Sequence, residues 1–282
     1  MAEIYPLRDA KIESSSNNVA FQKQNKVAEK LAKSCECADM PSIDHLSKSD
    51  YNKVYEPSDD TFLLLDALNI DFGPGIRPNE EQCLTTLEIG VGTGVATVFL
   101  AQQLAKANQK ALHYVTDINP DAIDITLKTA KQNQIPKTND GEAREFEINA
   151  IQCDLASELL PDQTGKIDVL IFNPPYVPTP DDEVGGTGIE ASWAGGENGR
   201  IVVDRALPQI AQLLSWPNGV AYMVTVDENF PEEIADLMKR KYGILVTPFV
   251  RRKAWNEYLS IQKMTLTKEL HFEGDKIIDE SP

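Results

Sequence analysis

The segment Leu87-Glu88-Ile89-Gly90-Val91-Gly92-Thr93-Gly94 is the strongest indication of the fold, because it joins an apolar strand to a helix through a turn rich in glycine. Glycine suits such a turn because it adopts a positive φ without strain and lets a ligand approach the backbone closely. Turns of this kind also bind dinucleotides. The nicotinamide fingerprint, however, requires Gly or Ala three positions after its second glycine, and Val95 stands there. The spacing therefore favours another adenosine cofactor.

Short apolar runs alternate with helical periodicities on both sides of this turn, from Tyr51 onward. Strands alternating with helices of this length require right-handed crossovers and a largely parallel sheet covered on both faces, which is an α/β fold. The last two strands follow each other without a helix, so we expect them to pair antiparallel at one edge. Strands are predicted at 84–89, 112–116, 148–153, 167–172, 220–226, 244–250 and 258–267, and helices at 61–68, 95–107, 120–133, 200–214 and 231–241.

The two ends of the chain differ from this pattern. Residues 1–49 are polar and contain few large apolar side chains, so we expect a mobile N-terminal extension. Within it, residues 20–33 could form a short polar helix. Residues 50–270 are predicted to be the folded domain, and residues 271–282 an acidic tail. The apolar stripe of the short helix would comprise Phe21, Val27, Ala28 and Leu31.

The overall charge excludes several classes of function. The chain has 27 Lys and Arg against 44 Asp and Glu, which gives a net charge of -17 and a surface that repels phosphate backbones and anionic lipid. No apolar run approaches the ~20 residues needed to cross a bilayer, and the N-terminus does not resemble a signal peptide. We therefore expect no direct nucleic-acid binding, no membrane association, and a cytoplasmic location that extends to the nucleus.

The cysteines predict neither disulfides nor a metal site. Four cysteines in 282 residues are too few for a disulfide framework. The pair Cys35 and Cys37 lacks the second pair, or the cluster of histidines, that would complete a zinc site. Reduced thiols and no bound metal are the expectation.

Two carboxylates follow the second and third predicted strands. Asp117 can accept hydrogen bonds from both ribose hydroxyls of a nucleoside lying over the glycine turn, although it could also be a helix N-terminal acid before Pro120. Asp154 occupies the matching place after the third strand, next to Leu155, where a carboxylate suits an exocyclic amine such as adenine N6. Polar groups at successive strand ends are typical of a nucleoside site along the carboxyl edge of a parallel sheet.

The fourth strand ends in Asn173-Pro174-Pro175-Tyr176, the most informative tetrapeptide in the chain. Proline has no N–H, so the carbonyls of Asn173 and Pro174 are left free to accept hydrogen bonds. A planar nitrogen with two N–H groups could donate one to the Asn173 side-chain oxygen and one to the Pro174 carbonyl. Its lone pair would then point at an electrophile without a strong base. A plain proline turn would explain the prolines but neither the Asn nor the Tyr.

Taken together, these motifs resemble a Rossmann-like class I S-adenosylmethionine-dependent methyltransferase of the HemK-like branch, which methylates release-factor glutamine. The likeness runs from about Tyr51 to Lys268. It implies a mostly parallel seven-stranded sheet with an antiparallel edge strand. Two further segments resemble the eukaryotic and archaeal members in particular, 54–68 (VYEPSDDTFLLLDAL) and 188–200 (GIEASWAGGENGR).

The resemblance implies a cofactor site and a catalytic turn. Asp117 would hold the ribose and Asp154 the adenine, with Leu155 in the same site. The Asn173-Pro174-Pro175-Tyr176 turn would be catalytic: Asn173 and Pro174 hold the target amide, Tyr176 borders the slot, and Asn173 also borders the cofactor. Thr61 would reach the methionine end of the cofactor. The remaining cofactor residues, which would form its cradle, are Glu88, Gly90, Gly92 and Gly94.

The resemblance also implies partners. Eukaryotic members form a heterodimer with a small zinc-binding activator subunit that pairs along an edge of the sheet and covers apolar surface. The implied substrate is the glutamine of the Gly-Gly-Gln loop in the class I translation release factor. Asp181-Asp182-Glu183 could then steer a basic substrate surface, or could be a solvated mobile loop.

Three other interpretations remain open at this point. An amino-methyltransferase acting on adenine or cytosine of nucleic acid would need a cationic track, for which Arg251-Arg252-Lys253 is too short. A methyltransferase acting on lysine of histones or other proteins would need a base to deprotonate its substrate, and none is evident beside the turn. A catalytically silent adaptor would bind cofactor without transferring the methyl group.

Overall fold

The fold is described from a computed structural model, which covers residues 15–34, 39–73, 82–133, 147–274 and 276–278. The Cys35 and Cys37 pair and the last four residues of the predicted acidic tail lie outside these ranges. Within them, no helix is both long and apolar enough to cross a bilayer.

Seven strands form one sheet in the order β3-β2-β1-β4-β5-β7-β6. The first five of these pair in parallel, and β7 runs antiparallel to both of its neighbours. The predicted mostly parallel sheet with antiparallel pairing at one edge is confirmed, with β7 lying between β5 and the outermost strand β6. The strands are β1 Leu84–Ile89, β2 Ala111–Asp117, β3 Ile148–Gln152, β4 Val169–Phe172, β5 Val220–Val226, β6 Ile244–Ala254 and β7 Glu257–Leu266.

Helices cover both faces of this sheet. Side chains alternate along a strand, so Leu170 of β4 packs with Leu207 on one face while Ile171 packs with Phe99 on the other. All four of these side chains are buried, and the two apolar layers together form the core. The helices are α1 Ser15–Ser34, α2 Asp59–Phe72, α3 Val95–Lys106, α4 Pro120–Gln132, α5 Ile201–Leu213 and α6 Pro231–Tyr242.

The described part of the N-terminal extension, residues 15–34 and 39–49, differs from the expectation of a mobile tail. Helix α1 packs along the edge strand β6 and buries Phe21, Ala28 and Ala32, and Glu29 forms an ion pair with Arg251 at 3.3 Å. The predicted stripe is therefore partly right, but Val27 is exposed. A short amphipathic stripe that cannot fold alone becomes ordered when the rest of the chain supplies the surface that it covers.

The predicted acidic tail also contains structure. Strands β8 (His271–Glu273) and β9 (Lys276–Ile278) form an antiparallel hairpin. Ile277 packs against the apolar layer beneath α5, and Gln212 Nε2 donates a hydrogen bond to the Gly274 carbonyl at 3.1 Å. The cross-strand pair of Phe272 and Ile277 and this hydrogen bond anchor the hairpin, in which three of the eight residues 271–278 are charged.

The register of the sheet brings the functional motifs together. Ile89 at the end of β1 is paired with Thr116 of β2 on one side and with Phe172 of β4 on the other. The residues that follow these strands therefore emerge side by side at one edge of the sheet. The glycine turn, Asp117 and Asn173 meet there, as the carboxyl ends of parallel strands must.

Candidate active site

A pocket opens at this carboxyl edge of the sheet. It is enclosed by the start of α2, the glycine turn and the ends of β2, β3 and β4, and the segment 184–194 lies over it. Its walls combine apolar and polar surface, as a site for an amphiphilic organic ligand requires. Most of the predicted site residues line it: Thr61, Glu88, Gly90, Gly92, Asp117, Asp154, Leu155, Asn173 and Pro175.

The three glycines of the turn have two different functions. All have positive φ, between 54° and 79°. A Cβ added to Gly92 would project into open space on the pocket side, whereas a Cβ added to Gly94 would lie 2.9 Å from Thr126 of α4. Gly92 therefore leaves room for a ligand. Gly94 instead allows α3 and α4 to pack closely, and its predicted place in the cofactor cradle stays a prediction.

Glu88 lines the pocket and is hydrogen-bonded to the first turn of α3. Its Oε2 accepts a hydrogen bond from the Thr97 backbone N–H at 2.8 Å and another from the Thr97 hydroxyl. Burial raises the pKa of Glu88 from its usual 4.5 to about 8, and hydrogen bonds from Thr97 oppose this rise. Glu88 thus orders the glycine turn as well as lining the pocket.

Asp117 braces the glycine turn from the next strand. Its Oδ2 accepts from the Gly92 N–H at 3.0 Å, and its Oδ1 accepts from the Asn119 N–H at 2.9 Å. Burial raises the pKa of Asp117, and these backbone hydrogen bonds oppose the rise. Each carboxylate oxygen can accept a further hydrogen bond, so Asp117 can also receive the hydroxyls of a ligand in the pocket.

Asp154 lies at the more exposed end of the pocket. Its Oδ2 is paired with the guanidinium of Arg205 on α5, and the side chains of both residues are nearly half exposed. Leu155 follows with a φ of 54° and a buried side chain. An acceptor held by an arginine at the pocket wall can still receive an exocyclic amine, so the position suits the predicted contact.

The catalytic turn is held by Asp60, a residue that the motif analysis did not single out. Asp60 Oδ2 accepts from Asn173 Nδ2 at 3.1 Å and from the Tyr176 hydroxyl at 3.2 Å. Asp60 is buried, with 3% of its surface exposed. Burial, and then the charge of Asp60, raise the pKa of Tyr176, so its hydroxyl stays protonated and donates. Through this hydrogen bond to Asp60, Tyr176 supports the site predicted to receive the target amide.

This arrangement leaves one acceptor free. Among the residues that the structure describes, the buried Oδ1 of Asn173 has no hydrogen-bond partner. Because Nδ2 donates to a carboxylate, which can only accept, the side-chain amide is fixed with Oδ1 turned elsewhere. A buried oxygen without a partner costs free energy that a ligand donor recovers. Asn173 therefore offers an acceptor to a group with an N–H.

A second layer of residues supports the backbone of the catalytic turn. Asn229 is fully buried, and its Nδ2 donates to the carbonyls of Tyr176 and Asn198, both at 2.9 Å. Gly199 lies so close that an added Cβ would be 1.8 Å from the Tyr176 carbonyl, and one added to Gly195 would be 2.4 Å from the Pro175 carbonyl. The glycine-rich segment therefore packs directly on the turn.

Three site residues were not predicted from the sequence, all for the same reason: Asp60, Arg205 and Asn229. Each acts through a partner far away in the sequence, such as Asp60 and Asn173, which are 113 positions apart. The available signal for Asp60 was its place in the segment 54–68 that carries the family resemblance. For Arg205 and Asn229 the sequence offers no local motif.

The residues present fit an adenosine cofactor with a charged amino-acid end. The open space at Gly92 admits a ligand against the backbone, and carboxylates follow both β2 and β3. Asp60 and Asp117 also line the pocket, as does Glu88, which carries little negative charge at pH 7 because its pKa is about 8. Such surroundings suit a sulfonium cation and ribose hydroxyls better than the phosphates of a dinucleotide.

Comparisons with known proteins place the chain in a family. No protein-family model matches it. It is 45% identical over 225 residues to the human methyltransferase HEMK2, covering 80% of this chain and 95% of HEMK2. It is 35% identical over 228 residues to the eRF1 methyltransferase catalytic subunit mtq2 of Schizosaccharomyces pombe, covering 79% and 94%.

A solved structure agrees with these relatives. The E. cuniculi Mtq2–Trm112 complex, described as responsible for methylation of the eRF1 translation termination factor, has a TM-score of 0.50 and 27% identity. The match covers 76% of this chain and 99% of that one. On the sequence identity and coverage of its relatives, the chain belongs to the HEMK2 and Mtq2 family of S-adenosylmethionine-dependent methyltransferases.

Proposed function

We propose that this enzyme transfers a methyl group from S-adenosylmethionine to the side-chain amide nitrogen of the glutamine in the Gly-Gly-Gln loop of the class I release factor. It does so as the catalytic subunit of a heterodimer. The relatives named for eRF1 methylation, and the relative from Methanocaldococcus jannaschii named as a putative protein N5-glutamine methyltransferase, support this substrate.

The observation that carries the proposal is the free Oδ1 of Asn173. A primary amide has two N–H groups in one plane, and Asn173 Oδ1 accepts one of them. The carbonyl of Pro174, which follows in the chain, accepts the other. Fixing both N–H groups orients the nitrogen and weakens its conjugation with the carbonyl, which raises its reactivity toward an electrophile. A neutral amide fits this neutral acceptor without any change of protonation.

The side chains around the slot position the reactants. When bound, S-adenosylmethionine supplies an electrophilic methyl group on a sulfonium. Asp117 would accept from the ribose hydroxyls, Asp154 would accept from the adenine amine, and Thr61 would contact the methionine end. Asp60 and Tyr176 keep Asn173 in its orientation. The N–CH3 bond would form as the S–CH3 bond of the sulfonium breaks, which leaves a neutral thioether, and the proton lost from the nitrogen would pass to solvent water.

The electrostatics argue against a nucleic-acid substrate. The net charge is -17, and the short basic stretch 251–253 is largely neutralised by ion pairs. Arg251 is bidentate with Asp227 at 2.6 and 2.8 Å, and Arg252 pairs with Asp66 at 2.6 Å. The acidic turn Asp181–Glu183 is exposed at the pocket side of the molecule, where it suits a basic protein surface.

The free edge of the sheet suits the partner subunit. Of the two edge strands, β6 is accompanied by α1, whereas β3 pairs only with β2 among the residues that the structure describes. The residues Ile148–Asn149–Ala150–Ile151 on β3 are all half-buried. An open edge strand is a template for pairing with another chain. We infer that the small zinc-binding subunit pairs along β3.

The substrate is tested by co-expressing the chain with the zinc-binding subunit and measuring radiolabelled methyl transfer to the release factor. The Gln→Ala variant of the Gly-Gly-Gln loop is the control. Label on the wild-type factor that is lost in the variant supports glutamine methylation in that loop. Label retained in the variant, or found only on nucleic acid or histone, would overturn the proposed substrate.

A further inference from the structure

Trp255 occupies a position that neither the turn nor the core requires. It stands at the tip of the β6–β7 hairpin, 90% exposed, with a φ of 52°. Left-handed backbone disfavours bulky L residues and suits Gly or Asn. Here a large aromatic residue combines a strained backbone conformation with an almost fully solvated side chain, so it contributes nothing evident to folding. Exposed tryptophan of this kind is typical of a binding anchor.

Phe230 is a second exposed aromatic residue with a left-handed backbone conformation. It precedes α6 with a φ of 50° and is 39% exposed. Its neighbour Asn229 donates to the carbonyl of the catalytic Tyr176 at 2.9 Å. Phe230 therefore lies within one residue of a direct contact to the catalytic turn.

The hairpin and the Phe230 turn are joined to each other and to the active site. The bidentate pair between Arg251 of β6 and Asp227 ties the two elements together, and Arg251 stacks on Tyr258 at 4.3 Å. Burial raises the pKa of the Glu257 carboxyl, and the negative charges of Glu228, Asp60 and Asp59 raise it further. The hairpin tip is thus within electrostatic reach of Asp60, the residue that holds Asn173.

The charge of this surface indicates its occupant. Glu228 and Asp59 are exposed and Glu257 is half-buried. These carboxylates outnumber the exposed cation of the hairpin, Lys253, because Arg251 and Arg252 are already paired with Asp227 and Asp66. Aromatic anchors in a negative field are complementary to a segment that carries both apolar and basic side chains. An acidic partner, or a second copy of this chain with a net charge of -17, would be repelled.

We propose that Trp255 and Phe230 form a docking surface that holds a basic, partly apolar segment of the protein substrate outside the amide slot. This proposal rests on the proposed function, because it requires a folded protein substrate. The surface would contribute to the affinity for the intact substrate and leave the chemical step at Asn173 unchanged.

The test compares an intact substrate with a short one. The chain, co-expressed with its partner subunit, is assayed on the intact release factor and on a short peptide spanning the Gly-Gly-Gln loop. For Trp255→Asn we expect KM for the intact factor to rise at least ten-fold, with kcat unchanged and peptide methylation unaffected. Asn tolerates the left-handed backbone, so the thermal midpoint should stay the same or rise. Leu245→Thr is the control, because Leu245 is 46% exposed at the other end of β6.

The charge of the occupant is tested with Glu228→Gln. A basic segment predicts that KM for the intact factor rises with salt in the wild type, and that Glu228→Gln weakens this dependence. An unchanged KM in Trp255→Asn would overturn the docking surface while leaving glutamine methylation intact. A change in oligomeric state or subunit binding alone would overturn it in favour of another occupant. If the wild type labels neither peptide nor factor, it is the proposed function that fails.

Discussion

Asp60 accepts a hydrogen bond from the side-chain amide of Asn173, with 3.1 Å between Oδ2 and Nδ2, and this contact determines which end of that amide faces the substrate. The same carboxylate oxygen accepts from the Tyr176 hydroxyl. Because a carboxylate can only accept, it holds the NH2 end of Asn173 and turns the oxygen away. The acceptor that we propose for the target amide is therefore oriented by a residue outside the Asn173–Tyr176 motif.

Replacing Asp60 by Asn tests this orientation. The new side chain can donate as well as accept, so Asn173 is no longer restricted to one orientation, and we expect kcat to fall by about 10²–10³-fold. Cofactor affinity should change by less than a few-fold in a calorimetric titration. The control is Asp59→Asn, because Asp59 is exposed on the same turn of α2. Equal activity of the two variants would remove the positioning role from Asp60.

Asn173→Ala removes the acceptor itself. Without Oδ1 the target amide loses one of its two fixed N–H groups, so methyl transfer should be abolished within the limits of a radiolabel assay. Most of the predicted cofactor contacts are made by other residues, so the dissociation constant of the cofactor should stay within a few-fold. Near-normal turnover in this variant would be incompatible with the assigned role of Asn173.

Asp117→Ala should weaken cofactor binding. The variant loses the predicted ribose acceptor, and charge-assisted hydrogen bonds are each worth ~1.5–3 kcal/mol, so Kd should rise by about ten-fold or more. It also loses the brace to Gly92, and circular dichroism is needed to verify the fold. Asp124→Ala, an exposed site on α4, is the matched control. An unaltered Kd would place the ribose elsewhere.

Gly92→Ala tests whether a ligand lies against Gly92, separately from the backbone strain that a side chain causes at a positive φ. Gly92 and Gly165 both have positive φ, and a Cβ added to either meets no described atom within 4 Å. Both alanine variants should therefore lose about 1 kcal/mol of unfolding free energy in urea titrations. Only Gly92→Ala should weaken cofactor binding, by ten-fold or more. Similar affinities in the two variants would argue that no ligand lies against Gly92.

The buried carboxyl of Glu88 predicts a pH dependence of stability. Its pKa is about 8 in the folded protein against 4.5 for the free group. Between these values the folded state keeps the proton that the unfolded state has lost. The free energy of unfolding should therefore fall as pH rises, by up to about 1.4 kcal/mol per pH unit.

The comparison with Glu88→Gln isolates this contribution. The neutral glutamine keeps an oxygen for the Thr97 N–H and does not titrate, so its unfolding free energy should depend less on pH. Urea unfolding of the cofactor-free proteins at pH 5.5, 6.5 and 7.5 measures the difference. A wild type that gains stability relative to the variant as pH rises would contradict the direction of the pKa shift.

Local patterns predicted most of the fold. All seven strands of the sheet and the helices α2 to α6 follow from period and turn signals, because buried strands and amphipathic helices must show their periodicity in the sequence. The extension 1–49 was harder to interpret. Helix α1 is ordered by contact with β6, a strand that begins more than two hundred residues later, and no local signal reports such a contact.

Local sequence signals predicted the chemistry of the site: a glycine turn, carboxylates after successive strands and Asn173-Pro174-Pro175-Tyr176. These signals are local because each needs a particular residue at a particular strand end. The contacts that these residues make depend on how the chain packs in three dimensions. This packing placed Gly94 against Thr126, paired Asp154 with Arg205 and turned Asn173 through Asp60. Such contacts arise when the sheet register and helix packing bring distant side chains within about 3 Å, and no spacing along the chain encodes that distance.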